Sequence, residues 1–368
     1  MKQIVRNNIL GVKPYVPGKP IEEVQREFGL KNVMKLASNE NCLGPSPKAV
    51  AAIKKNISKI NRYPDASSYY LKKKLARHLG VDENMIILGN GSDEVIVVAI
   101  RTFLNEGEKV IIAKPTFLIY EIASQISNTE LKFVPLTKDF KYDLGEMRKA
   151  VTANTKMIFI ANPDNPTGTY VTKQELDEFF DGIPEDVIVF LDEAYFEFAE
   201  YGYKDYPNGL DYLSRPNVIV SRTFSKAYGL AGLRVGYGIA NPGLISYMER
   251  VRDPFNVNLL AQEAALAALD DKAFLKKTLT TVGGEKKFLY RAFDKMGLKY
   301  VESATNFMLV DVKADCKKVF NGLLSRGVIV RDMKAWGLDT YIRVTPGTRK
   351  ENIFFINALK EVLKEAVN

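Results

Sequence analysis

The chain has 368 residues, 46% of them hydrophobic and 26% charged, a balance that suits a globular protein of two domains and excludes a membrane-embedded one. No apolar run approaches the roughly 20 residues of a membrane span, and Met1–Asn8 offers no apolar core for a signal peptide, so a cytoplasmic protein without membrane contact is expected. The net charge of +8 comes from lysines scattered in small groups such as Lys72-Lys73-Lys74 and Lys276-Lys277. These read as solvated helix faces rather than a nucleic-acid surface, and no nucleic-acid partner is expected. The same charge would steer phosphorylated or carboxylated metabolites. Cys42 and Cys316 are too few for a disulfide framework and badly spaced for a metal. The lone histidine, His78, excludes a His-based metal cluster and argues against a Ser-His-Asp triad, so no metal site is expected.

In chain order, the stretch to about residue 40 is rich in Pro and Gly and too short to fold alone. It is expected to lie across a smaller domain or a partner subunit. From there to about residue 253, short β-branched runs alternate with helical patterns, which predicts α/β layering around a mostly parallel sheet. The predicted strands are Met85–Leu88, Lys109–Ala113, Lys132–Pro135, Met157–Ile160, Val187–Leu191, Asn217–Val220 and Val235–Ile239. Helices are predicted over 92–103, 144–151 and 172–180, the last opening on the capping box Thr172-x-x-Glu175. His78 falls at the end of a further helix, where a dipole or capping role suits it. Beyond Pro242-Gly243 the pattern turns to helices over 244–252, 258–269 and 272–295, with Gly283-Gly284 a candidate bend. Strands at 306–310, 328–330 and 340–344 and a helix over 350–365 then complete an α+β domain from 254 to 368.

Several motifs fall at strand ends, where open α/β sheets place ligands. Gly89-Asn90-Gly91-Ser92-Asp93-Glu94 follows a strand and opens a helix. It suits either a phosphate on backbone N–H groups or a plain turn capped by Ser92 or Asp93, and alone it favours the turn. It is not the GxGxxG dinucleotide pattern. Asn162-Pro163-Asp164-Asn165-Pro166-Thr167-Gly168 is a stiff, non-helical loop that can aim the Asn165 amide at a ring hydroxyl or oxyanion. Asp192, in Asp192-Glu193-Ala194-Tyr195, ends an apolar run, so its carboxylate needs a partner. That partner is a cationic ring nitrogen or a divalent metal; the second needs a GxxxxGK[ST] loop, which is absent. Ser221 to Arg234 places Lys226 among small and hydroxyl residues, either as a surface charge or as an amine held for covalent chemistry on a carbonyl.

Taken in order, these motifs and Phe117 after Pro115-Thr116 resemble the fold type I pyridoxal-phosphate aminotransferases, and within them the histidinol-phosphate aminotransferase group. The resemblance runs from Tyr15 to Gly347 and rests on Asn165-Pro166-Thr167-Gly168, Asp192-x-x-Tyr195 and Ser225-Lys226-x(7)-Arg234. It implies a large domain (41–253) with a mostly parallel seven-stranded sheet, a smaller α+β domain (254–368) and an N-terminal segment (1–40). Lys226 would form a Schiff base with pyridoxal 5'-phosphate and move the proton in the transfer step. Asp192 would hold the ring nitrogen protonated, Tyr195 and Asn165 would bond the ring's phenolic oxygen, and Phe117 would stack on its face. The phosphate would lie on Gly91, Ser92 and Asp93, with Thr223, Ser225 and Arg234, and with Tyr63 from the neighbouring subunit of a homodimer.

Arg343 matches the family's substrate-anion arginine, Tyr15 its N-terminal substrate-contacting tyrosine, and Arg331 offers a second positive charge for a phosphate dianion. The implied reaction is amino transfer from L-histidinol phosphate to 2-oxoglutarate, giving imidazole acetol phosphate and glutamate in histidine biosynthesis. Aromatic aminotransferases and threonine-phosphate decarboxylase share the motifs and are the alternatives. Asp164 departs from an Asn common in the family, a change expected to be without effect. A regulator on this scaffold would carry an appended DNA-binding domain, and none is expected before Tyr15.

Overall fold

The computed structural model describes residues 4–367. The predicted apolar runs form one seven-stranded sheet from β2 (Ile86–Gly89), β3 (Lys109–Lys114), β4 (Glu130–Pro135), β5 (Thr155–Ala161), β6 (Ile188–Asp192), β7 (Val218–Thr223) and β8 (Gly236–Ala240), a short β1 (Met34–Lys35) lying elsewhere. The order is β2-β8-β7-β6-β5-β3-β4, and only β8 runs against its neighbours. Strands of a sheet covered on both faces bury both sides, which is why these read as continuous apolar runs rather than alternating ones; β6 and β7 are buried throughout. Phe159 and Phe190 on neighbouring strands are fully buried, each such ring contributing about 1.5–3 kcal/mol.

The flanking helices start where sequence chemistry sets them. Ser92–Phe103 follows Gly91, which has φ +83°, so the turn is capped by neither Ser92 nor Asp93. Thr172 and Glu175 complete the capping box ahead of Lys173–Phe180. Tyr69–Leu79 contains His78 in its last turn and stops at Gly80, in the left-handed conformation. Helix Leu259–Leu269 packs on Pro47–Asn56 and shares the large sheet's core. The next helix, Lys272–Lys295, runs unbroken through Gly283-Gly284 to a second core.

That second core is built on a four-stranded antiparallel sheet, β12-β13-β10-β9, with β9 at Lys299–Val301, β10 at Met308–Asp311, β12 at Arg331–Asp332 and β13 at Tyr341–Val344. The run 328–330, read as one strand, divides: β11 (Val328–Ile329) pairs in parallel with β1, and the chain then turns into β12. Val24, Leu36 and Ala37 join this core alongside residues 289–362. Further upstream, Arg6 and Asn8 bond the carbonyls of Gln125 and Ile126, at the end of the helix Leu118–Ile126 on the large sheet.

Candidate active site

The parallel strands finish at one edge of the large sheet, and a cavity of about 270 Å³ opens there against the second core. It is lined by Tyr15, Ser92, Asp93, Phe117, Asn165, Asp192, Tyr195, Thr223, Ser225, Lys226, Arg234, Arg331 and Arg343, nearly all of the residues singled out in the sequence. Gly91 lies immediately behind it: a Cβ there would run into the Arg234 guanidinium, so only glycine leaves the arginine its place. Tyr63 is not part of the cavity. It stands 82% exposed, its ring stacked on Phe255 at 4.7 Å.

Asp192 is the last residue of β6 and is buried. Its carboxylate accepts from the Tyr120 hydroxyl at 2.6 Å, the Ser221 hydroxyl at 3.0 Å and the Ala194 N–H at 3.2 Å. Burial outweighs these bonds and pushes its pKa up to about 6. A cation set against Asp192 would restore the carboxylate form. Behind it, Glu193 and Arg222 form a buried ion pair at 2.7 Å that ties the end of β6 to β7.

Lys226 follows β7 and is half-buried. Among the described residues its Nζ has one weak hydrogen-bond partner, the Ser38 carbonyl at 3.4 Å, and lies 5.9 Å from the centre of the Tyr195 ring. Burial first, and then the Arg343 charge, lower its pKa to about 8. An amine poised near neutrality serves as either a nucleophile or a proton carrier.

In the same cavity, Thr223, Ser225 and Arg234 form a linked, cup-like cluster. The Thr223 hydroxyl donates to Ser225 Oγ at 3.0 Å, Arg234 Nη1 reaches Ser225 Oγ at 3.4 Å, and Arg234 Nη2 pairs with Asp93 at 3.1 Å. Gly236 on β8 closes the back of the cup, since a Cβ there would meet the Ser92 N–H.

On the side of the second core, Arg343 is buried, with Nη1 bonded to Asn165 Oδ1 and Nη2 donating to the Ala37 carbonyl at 3.1 Å. Among the described residues its Nε has no hydrogen-bond partner, and burial lowers its pKa. A buried guanidinium lining a cavity is a favourable place for an anion. With its oxygen taken by Arg343, the Asn165 amide keeps its N–H groups for the cavity. Arg331 donates to the Val16 carbonyl at 2.6 Å beside Tyr15.

Among the lining residues not singled out in the sequence, three make hydrogen bonds that shape the site. Asn39, in the left-handed region with φ +56°, donates to the Tyr195 hydroxyl at 2.8 Å and is itself held by Thr345 and Asn306. The Tyr195 oxygen thereby accepts one hydrogen bond and its own O–H remains free to donate; burial holds its pKa above the ordinary phenol value. Tyr120 holds Asp192, and Trp336 donates to the Thr116 carbonyl at 2.9 Å. A signal existed for two of them: Tyr120 lies three residues beyond Phe117, on the same helix face, and Trp336 is the chain's one tryptophan. Asp164 is fully buried and accepts from Thr116, Tyr142 and Thr167, with burial pushing its pKa up to about 6.

Residues 31–359 match the family model for class I and II aminotransferases. A histidinol-phosphate aminotransferase of Moorella thermoacetica is 51% identical over 97% of this chain and 92% of its own length. Another, from Carboxydothermus hydrogenoformans, is 49% identical over 98% of this chain and 99% of its own. The crystal structure of the histidinol-phosphate aminotransferase of Sinorhizobium meliloti in complex with pyridoxal-5'-phosphate superposes with a TM-score of 0.91 at 30% identity, covering 99% of both chains. The chain therefore belongs to the class I and II aminotransferases, within their histidinol-phosphate aminotransferase group.

Proposed function

We propose that this cavity holds pyridoxal 5'-phosphate and transfers the amino group of L-histidinol phosphate to 2-oxoglutarate, yielding imidazole acetol phosphate and glutamate. The observation that carries the reading is the convergence on one cavity of an amine with a single weak partner among the described residues, a buried carboxyl and a glycine-backed arginine cup. These groups fit the cofactor's aldehyde, ring nitrogen and phosphate. When bound, it supplies a carbonyl carbon for the amine and an electron-withdrawing ring.

The chain's own residues do the rest. Lys226 Nζ, lowered toward neutrality, takes the proton from the carbon bearing the donor amine and returns it across the cavity. Asp192, held in place by Tyr120, would ion-pair with a protonated ring nitrogen. Tyr195 and the Asn165 amide would donate to the ring oxygen of a bound cofactor, and Phe117 would lie against its ring. Backbone N–H groups of Ser92 and Asp93, with Thr223, Ser225 and Arg234, bind the phosphate.

Arg343, whose Nε lacks a partner among the described residues, anchors the anionic end of either substrate, and Arg331 and Tyr15 add to it for the phosphorylated one. Tyr63, exposed and remote from its own cavity, serves the partner's phosphate site in a cytoplasmic homodimer. We read the chain as an N-terminal segment, a large body and a small one. The packing of Leu259–Leu269 on the large core favours a handover inside the helix Lys272–Lys295 rather than at residue 254.

Measuring amine transfer to 2-oxoglutarate from histidinol phosphate and from phenylalanine tests the reading. Histidinol phosphate should be much the better donor. Phenylalanine as the better donor would assign the chain to aromatic substrates instead.

A further inference from the structure

Arg331 and Arg343 share the cavity, yet only Arg343 is locked by burial; Arg331 rises from a two-residue strand near the surface. Two contacts orient it: its Nη2 donates to the Val16 carbonyl at 2.6 Å, and its guanidinium faces Trp336. The turn Lys334–Trp336 brings the indole back under the arginine, whose guanidinium carbon lies 5.3 Å from the ring centre. The indole N–H reaches across to the Thr116 carbonyl, on the large-sheet side, at 2.9 Å. Thr116 is a firm anchor, since its hydroxyl donates to buried Asp164 at 2.7 Å. Phe117, Arg331 and Trp336 also form the partition between the active cavity and a neighbouring one of about 340 Å³.

We propose that Trp336 is a positioning and specificity-determining residue for the phosphorylated donor, holding Arg331 in the cavity by its ring face and fixing that wall by its N–H. This rests on the assignment of Arg331 to the donor phosphate. Arg343, held by Asn165 and Ala37, is independent of Trp336, so glutamate binding should not depend on the indole.

Two substitutions separate the contributions. Trp336→Leu removes ring and donor, and should raise KM for histidinol phosphate about tenfold while kcat and the KM for glutamate stay within about twofold. Trp336→Phe keeps a ring without the N–H and should fall between. An equal rise in KM for both donors, or a fall in kcat with both KM values unchanged, would overturn the assignment. A second measurement needs neither variant nor turnover. With one tryptophan in the chain, the emission of the cofactor-free protein reports position 336 alone. Titration with inorganic phosphate should change it saturably, and Arg331→Ala should abolish the change. A flat wild-type titration would refute the role of Trp336. Failure of the wild type to use histidinol phosphate would instead strike the substrate reading, leaving the emission result to decide Trp336.

Discussion

Tyr120→Phe isolates the control of Asp192. The ring would stay where it is, stacked on Phe159 at 4.6 Å in the core, so little packing is lost. What disappears is the 2.6 Å hydroxyl bond to the carboxylate, leaving only Ser221 and Ala194 as donors. A hydrogen bond to a charged group contributes about 1.5–3 kcal/mol, which is about one to two pH units on the acid it stabilises. Asp192 already titrates near 6 because burial outweighs its hydrogen bonds. In the variant it should titrate at about 7 or above. The protonated cofactor ring needs the ionised form, so affinity is full above this pKa and declines as pH falls through it. Equilibrium binding of pyridoxal phosphate to the cofactor-free protein between pH 5 and 9 should therefore show the decline beginning about one unit higher in the variant, with affinities converging at the alkaline end. Superimposable pH profiles would refute the idea that Tyr120 sets the charge of Asp192.

Lys226→Ala should end turnover, and borohydride reduction should add the cofactor's mass to the peptide carrying residue 226 in the wild type only, as read by mass spectrometry. Asp192→Asn should weaken cofactor binding and yet stabilise the cofactor-free fold. The native acid titrates near 6 against an ordinary 3.8, so stability falls as pH rises through that window, and removing the buried charge should recover at most about 3 kcal/mol at pH 8. Denaturant melts at pH 8, with no gain over the wild type, would contradict this. Arg343→Ala should raise KM for both substrates by about a hundredfold, since it strips the buried partner of each anion, while Arg331→Ala should affect chiefly the phosphorylated donor; steady-state kinetics with each substrate varied in turn check the split.

The parts of the site carried at the ends of buried strands were readable from the sequence. Asp192 and Lys226 end or follow apolar runs, and a buried polar residue there needs a partner. The helix Ser92–Phe103 was legible to the residue because its apolar periodicity is strong and Gly91 marks its start. The contacts that other residues make were not legible, even where the residue itself stood out, because they depend on pairing over long distances. Asn39 meets Tyr195 across 156 residues, and Trp336 meets Thr116 across 220. Locally, Asn39 is a loop polar residue and Tyr120 one aromatic among the apolar positions of a helix. The division of 328–332 between two sheets also depends on a distant partner, since β1 is only two residues long and has no periodicity of its own.

The second core joins Val24, Leu36 and Ala37 to residues beyond 289, so the smaller body is stitched from both ends of the chain. During synthesis its β1 emerges early and must wait for β11 nearly three hundred residues later. The large sheet, complete by Ala240, can form first on the ribosome. If it does, the newborn chain would carry the Thr223–Ser225–Arg234 cluster for that interval without Arg343. A cut near residue 37 would leave the sheet intact and unzip the smaller body.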